Sequence, residues 1–94
     1  MSIAAERIER LHHLAAGAAR EGEDDRAREY VRLAKRIAER NRLRFPRRFE
    51  RSVCDRCGLY LRPGRTARTR LRDGHLTVTC QCGGQKRYPY RGRV

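Results

Sequence analysis

Between residues 3 and 21 the apolar positions Ile8, Leu11, Ala15 and Ala18 recur at alternating three- and four-residue steps, the spacing of one stripe along a helix. The run EGEDDR that follows breaks the stripe. Gly22 suits the end of a first helix, while Glu23, Asp24 and Asp25 suit the positive N-terminal end of a second. The second stripe takes Ala27, Tyr30, Val31, Ala34, Ile37 and Ala38, with Leu33 on its flank. It stops near Asn41, where Arg40 and Arg42 suit a negative helix C-terminus. An antiparallel two-helix hairpin is therefore predicted over residues 1–41. Alanine fills half of each stripe, so a hairpin standing alone would be marginal and needs company. Packing within the chain would use up both stripes. Alternatively, part of this surface, at Leu11, Leu14, Ala18, Tyr30, Leu33 and Ile37, docks a partner protein. His12 and His13 are adjacent, cannot share a helix face, and read as surface or interface residues.

Residues 42–53 form a basic connector. Pro46 stops helix continuation, and Arg42, Arg44, Arg47, Arg48 and Arg51 are interleaved with Phe45 and Phe49. Either this is a solvated linker, or the phenylalanines anchor it to the core while Arg47, Arg48 and Arg51 face phosphate. Further on, TARTRLRDGHLTVTC alternates with period two about Asp73-Gly74, a strong two-residue turn signal. Ala67, Thr69 and Leu71 share one face of the first strand, and Leu76, Val78 and Cys80 share one face of the second. Paired, these apolar faces point toward the cysteines, and Arg68, Arg70 and Arg72 point outward. Pro63-Gly64 supplies another turn and QKRYPY a third strand, giving a three-stranded antiparallel ribbon over residues 54–94.

The four cysteines, Cys54, Cys57, Cys80 and Cys82, could form two disulfides or one metal site. The charged start MSIAAERIER lacks the apolar stretch of a secretory signal, so a reducing, cytoplasmic setting and a metal are expected. CDRCG has the form of a zinc knuckle, with glycine easing the backbone after the second thiolate. A redox pair would want a strand-helix context and no second cysteine pair. The second pair, CQC, is short. In extended chain, residues two apart share a face at ~6.6 Å, and sulfurs on a tetrahedral zinc lie ~3.8 Å apart, so each side chain leans inward by only ~1.4 Å. A disulfide inside the pair would be a strained ring. His75 lies an odd number of residues from Cys80, faces the other side of the strand, and makes a poor substitute ligand. One structural zinc ion on four cysteines is the expected cofactor.

Charge then changes the picture. The chain carries +13, and it is segregated: residues 1–40 hold nine basic and eight acidic side chains, residues 41–94 fifteen and three. Four thiolates on zinc would lower the total to about +11. Arginine outnumbers lysine 22 to 2, which suits bidentate phosphate contacts; biased codon usage explains such a ratio as well, but not the segregation. Lys86, Arg87 and Arg91 extend the arginine row, and Tyr88 and Tyr90 add rings that either stack on unpaired bases or pack the ribbon's edge. No apolar run approaches the ~20 residues that span a bilayer, so no membrane partner is expected. No serine beside an acid-base pair and no open metal position point to catalysis, so the polypeptide is not expected to be itself an enzyme.

ERIERL, YVRLAKRIAERNRLRFPRRF, CDRCGLYLRPG, the later TC and CG, and RYPY occur in the order found in the archaeal ribonuclease P protein component 4 family, which the chain resembles over residues 6–90. The resemblance implies a helical hairpin joined to a zinc ribbon, acting as one protein subunit of the ribonucleoprotein that removes the 5′ leader from precursor tRNA, the RNA carrying the chemistry. It implies as partners the specificity region of ribonuclease P RNA, precursor tRNA, and ribonuclease P protein component 1, docked on the N-terminal helices. Zinc ligation carries over to Cys54, Cys57 and Cys82 directly, and to Cys80 across a one-residue deletion, since the family's second pair is usually C-x-x-C. The competing expectation is a zinc-ribbon module bound to the ribosome or to DNA in transcription.

Overall fold

The computed structural model describes residues 2–89. Its first helix, α1 (Ile3–Arg20), starts where Ser2 accepts the Ala5 amide at 3.1 Å, an N-cap that satisfies one of the free donors of the first turn. It ends where Gly22 takes φ 79°, with the Glu23 amide returning to the Ala18 carbonyl at 2.9 Å and the Gly22 amide to Ala19 at 3.0 Å. Such paired return bonds need a left-handed residue, which glycine adopts without cost. The second helix, α2 (Asp24–Arg40), closes the same way, with Arg42 at φ 54° and the Leu43 amide on the Ala38 carbonyl. The buried positions, Ile8, Ala15, Ala18 and Ala19 on α1 and Ala27, Val31, Ala34 and Ala38 on α2, match the two sequence stripes nearly residue for residue. Among the described residues no helix is long and apolar enough to cross a membrane.

The basic connector is not simply extended. Pro46 ends the preceding coil and begins a five-residue helix, α3 (Arg47–Arg51), which drives Phe49 into the groove of the hairpin. Phe49 is fully buried, joins Val53, Ile8, Val31, Ala15, Ala34 and Ala38, and is the company that the alanine stripes lacked. Its ring stacks on Phe45 (centroids 4.8 Å) and lies nearly parallel to His12 at 4.3 Å.

The remainder is a meander of β1 (Ala67–Arg72), β2 (His75–Cys80) and β3 (Gln85–Pro89), all antiparallel in the order β1-β2-β3. Asp73 (φ 51°) and Gly74 (φ 75°) make the two-residue turn, matching the twist of the flanking strands. Leu71 departs from expectation. It shares the apolar face with Ala67 but is 56% exposed. At ~3.4 Å per residue it stands ~14 Å along the strand from Ala67, and the ribbon's small core, Cys54, Leu59, Leu61, Ala67 and Cys80, does not reach the hairpin tip. Tyr90 and Arg91, counted in or beside the third strand on sequence grounds, lie outside the described residues.

Polar contacts fix the ribbon against the hairpin. Arg62 donates to the Ala19 carbonyl at 2.9 Å and Arg28 to the Cys57 carbonyl at 3.0 Å, while the Tyr60 hydroxyl sits 3.2 Å from His12 Nε2. Of the surface and interface readings, His12 takes the second, as a half-buried joint between α1, α3 and the ribbon. Burial pulls its pKa below 6.5; Glu9 opposes this, and His13 and Arg48 add to it. A base depressed in the folded state takes up its proton more readily when unfolded, so its contribution is present above pH 6.5 and lost as pH falls through the folded value. His12→Gln is expected to flatten the acid side of the stability curve below pH 6.5. Urea midpoints of both chains against pH would check it. Thiol protonation acts alike in the two chains, so an unchanged difference between them across that range would remove His12 from the account.

Candidate metal centre and nucleic-acid interface

Two tight turns bring the cysteines together from opposite ends of the ribbon. In the first, the Cys54 amide bonds the Leu59 carbonyl at 2.9 Å and the Gly58 amide bonds the Cys54 carbonyl at 2.9 Å, with Gly58 at φ 77°. In the second, the Gly83 amide bonds the Cys80 carbonyl at 2.9 Å and the Cys80 amide bonds the Gly84 carbonyl at 2.8 Å. The short pair therefore closes by a different route from the extended-chain geometry: Cys80 ends β2 and Cys82 lies in the turn that follows. Gly83 at φ 98° makes that turn, and a Cβ on Gly84 would come within 3.1 Å of Cys54 Sγ and 3.2 Å of Arg56 Cβ. Gly83 supplies the left-handed turn and Gly84 the close approach to Cys54.

The four sulfurs lie within 4.8 Å of one another, with Cys54 to Cys82 and Cys57 to Cys80 both at 3.6 Å. That spacing is close to the ~3.8 Å edge of a sulfur tetrahedron around a divalent ion, and far beyond a disulfide's ~2.05 Å. Four soft donors with no carboxylate among them suit a metal held for structure. Burial would raise the Cys54 thiol, but the amides of Cys57 and Arg56 outweigh it and, with the neighbouring thiols, hold it at about 7; burial holds Cys80 up at about 12. The Gly84 amide also reaches Cys82 Sγ, at 3.4 Å. Backbone N–H groups aimed at sulfur favour thiolate, the form a metal binds. Cys54 and Cys80 are buried and Cys82 is exposed. His75 is on the opposite side of the sheet from Cys80, its Nδ1 3.1 Å from the Asp73 carbonyl.

The register sorts the cationic residues into two sets. Arg68, Arg70 and Arg72 pair with Thr79, Thr77 and His75, which pair in turn with Gln85, Arg87 and Pro89, so Arg68, Arg70, Arg72 and Arg87 share one side of the sheet. All four are exposed, and with Arg65 and His75 they line a broad open concavity. Arg65 gave no sequence signal of this, sitting in a turn before β1; His75 was legible through the two-residue turn that pairs it with Arg72. Lys86 and Tyr88 pair with Val78 and Leu76 and so point to the other side, where they do not extend the arginine row. The Lys86 ammonium is held by the Glu50 carbonyl of α3 and lies 3.4 Å from Asp55. Tyr88 packs under the Arg51 guanidinium, 4.8 Å from the ring centre, with its hydroxyl buried and no hydrogen-bond partner among the described residues. Of the two uses open to Tyr88, packing is the one the structure makes.

Arg47, Arg48 and Arg51 are exposed on α3, beside Arg42 and Arg44. Among the described residues, the helical half pairs its own charges, Arg26 with Glu23, Arg28 with Asp25 and Arg32 with Glu29, whereas no arginine of the connector or sheet pairs with a carboxylate. On the hairpin, Leu14 is 42% exposed, Leu11, Tyr30, Leu33 and Ile37 are half-buried, and Ala18 is buried by helix packing, leaving it no surface for a partner.

Residues 7–83 match the family model described as RNAse P Rpr2/Rpp21/SNM1 subunit domain. The chain is 66% identical over 91 residues to ribonuclease P protein component 4 of Halobacterium salinarum, covering 97% of this chain and 98% of that one. It is 51% identical over 96 residues to the protein of that name from Methanopyrus kandleri, covering 98% and 74%. Among solved structures it is similar to a chain in a cryo-EM structure of archaeal ribonuclease P with mature tRNA (TM-score 0.86, 45% identity, 93% of this chain and 76% of that one). Pfu Rpp21 is a second likeness (TM-score 0.66, 37% identity, 90% and 97%). Sequence and fold agree over nearly the whole length, and the chain belongs to the Rpr2/Rpp21/SNM1 family of ribonuclease P protein subunits.

Proposed function

We propose that the chain serves ribonuclease P as a noncatalytic RNA-binding subunit, neutralising phosphates of the ribonuclease P RNA and of precursor tRNA with its arginine sheet face and α3. One structural zinc ion on Cys54, Cys57, Cys80 and Cys82 stiffens the sheet; sulfur spacing and the all-thiol donor set support zinc over a harder cation. The three segments divide the labour. Residues 1–41 dock ribonuclease P protein component 1 through exposed Leu14 and the half-buried Leu11, Tyr30, Leu33 and Ile37; residues 42–53 and 54–94 meet RNA. A similar chain stands in archaeal ribonuclease P with mature tRNA, which supports both RNA partners.

The observation that carries this reading is the sheet side on which Arg68, Arg70, Arg72 and Arg87 lie exposed, with no carboxylate paired to them among the described residues. Exposed cations without a carboxylate beside them are available to displace counterions from a polyanion. Replacing Arg68, Arg70 and Arg72 with glutamine is expected to weaken binding to ribonuclease P RNA and reduce the slope of log affinity against log salt by roughly 2, at ~0.7 to 0.9 per lost contact. Filter binding over a salt series reads both. A slope unchanged by the triple substitution would take this face out of the RNA interface.

A further inference from the structure

The same register that builds the arginine row separates it from the other cationic cluster. Lys86 and Tyr88, on the side of β3 away from the row, are the residues that touch α3: Lys86 bonds the Glu50 carbonyl and Tyr88 lies beneath Arg51. The connector arginines Arg44, Arg47 and Arg48 are thus mounted on the opposite side of the sheet from Arg68, Arg70, Arg72 and Arg87. What lies between is mostly packed, with the Arg51 guanidinium laid on the Tyr88 ring. It is the sheet itself, the half-buried Tyr88, and Lys86 neutralised by Asp55. A layer packed on a sheet lies ~10 Å from it. The Debye length at physiological ionic strength is ~8 Å, so a phosphate backbone lying on one side is largely screened from the charges on the other.

We infer that the chain is a two-sided bridge, holding one RNA backbone segment against β1 and β3 and a second, separate segment against α3 at the same time. This rests on the RNA-binding reading above and deepens it. A chain with one continuous cationic surface would lie along a single strand or duplex. With clusters back to back, one segment satisfies only one of them, and the second cluster recruits another. Within one large folded RNA, the second contact then forms at the high effective concentration set by the first, pinning together segments distant in sequence. Fixing the two clusters relative to each other is the role of the Lys86 and Arg51–Tyr88 contacts.

The test uses the full-length, metal-loaded chain with short RNA duplexes, half carrying a donor dye and half an acceptor, and counts duplexes per chain by native mass spectrometry with RNA in excess. Two duplexes per chain and energy transfer between dyes are expected. The variant Arg68→Gln/Arg70→Gln/Arg72→Gln/Arg87→Gln and the variant Arg44→Gln/Arg47→Gln/Arg48→Gln should each bind one duplex and lose energy transfer, with circular dichroism and metal content showing both folded. One duplex on the native chain, or one variant losing all binding while the other keeps two duplexes, overturns the bridge and leaves RNA binding standing. No duplex bound at low salt overturns both.

Discussion

Removing the metal is expected to unfold the ribbon, residues 54–89, while most of the helical signal survives. The ribbon's core consists of two metal ligands, Cys54 and Cys80, plus Leu59, Leu61 and Ala67, with Cys57 and Val78 partly buried. That is a small apolar set to hold a segment of this length, and a metal ion on four thiolates would add strongly to it, by about 10–16 kcal/mol if the ion is zinc. Excess chelator, or Cys57→Ser, should therefore collapse the amide dispersion of β1, β2 and β3 in an NMR spectrum and leave α1 and α2 visible by far-UV circular dichroism. Affinity for RNA should fall with the sheet, because Arg68, Arg70, Arg72 and Arg87 share a face only while the register holds. Sheet dispersion persisting after complete chelation would show that the apolar contacts suffice without the ion.

What was legible beforehand follows from the range of each signal. The helices announce themselves through stripes of four to six residues each, Gly22 through its position after a stripe, and the hairpin through Asp73-Gly74; all are local and all recur in the structure. The metal cluster was legible because thiols are scarce and their pairs are spaced for chelation. By contrast, α3 is a helix of five residues, too short to show a period, and Pro46 at its start reads as a stop. Lys86 and Tyr88 were grouped with the arginine row by composition, although strand parity in QKRYPY already separates them from Arg87. The joints between the halves carry no local mark at all. Arg28 to Cys57, Arg62 to Ala19 and His12 to Tyr60 span 29, 43 and 48 residues, and in so arginine-rich a chain one structural guanidinium looks like any other.

The hairpin's dependence on α3 sets the second large effect, since Phe49→Ala should cost about 3–5 kcal/mol, much of a small domain's stability. Phe49 is the largest fully buried side chain, and its neighbours Ala15, Ala34 and Ala38 are too short to collapse into the space it would leave. The substitution also strips the ring from between His12 and Phe45, so the loss extends beyond transfer energy to two stacked contacts. Phe49→Leu refills part of the volume and should cost clearly less. Urea unfolding followed by helical circular dichroism, with cobalt–thiolate absorption reporting the metal cluster in parallel, separates the outcomes. The helical midpoint should fall steeply in Phe49→Ala while the cluster's absorption persists to higher urea, because the thiolates draw their stability from the ion and α3 draws its own from one ring. A loss below about 1 kcal/mol would mean that the alanine stripes pack well enough alone, and that α3 is carried by the hairpin rather than holding it together.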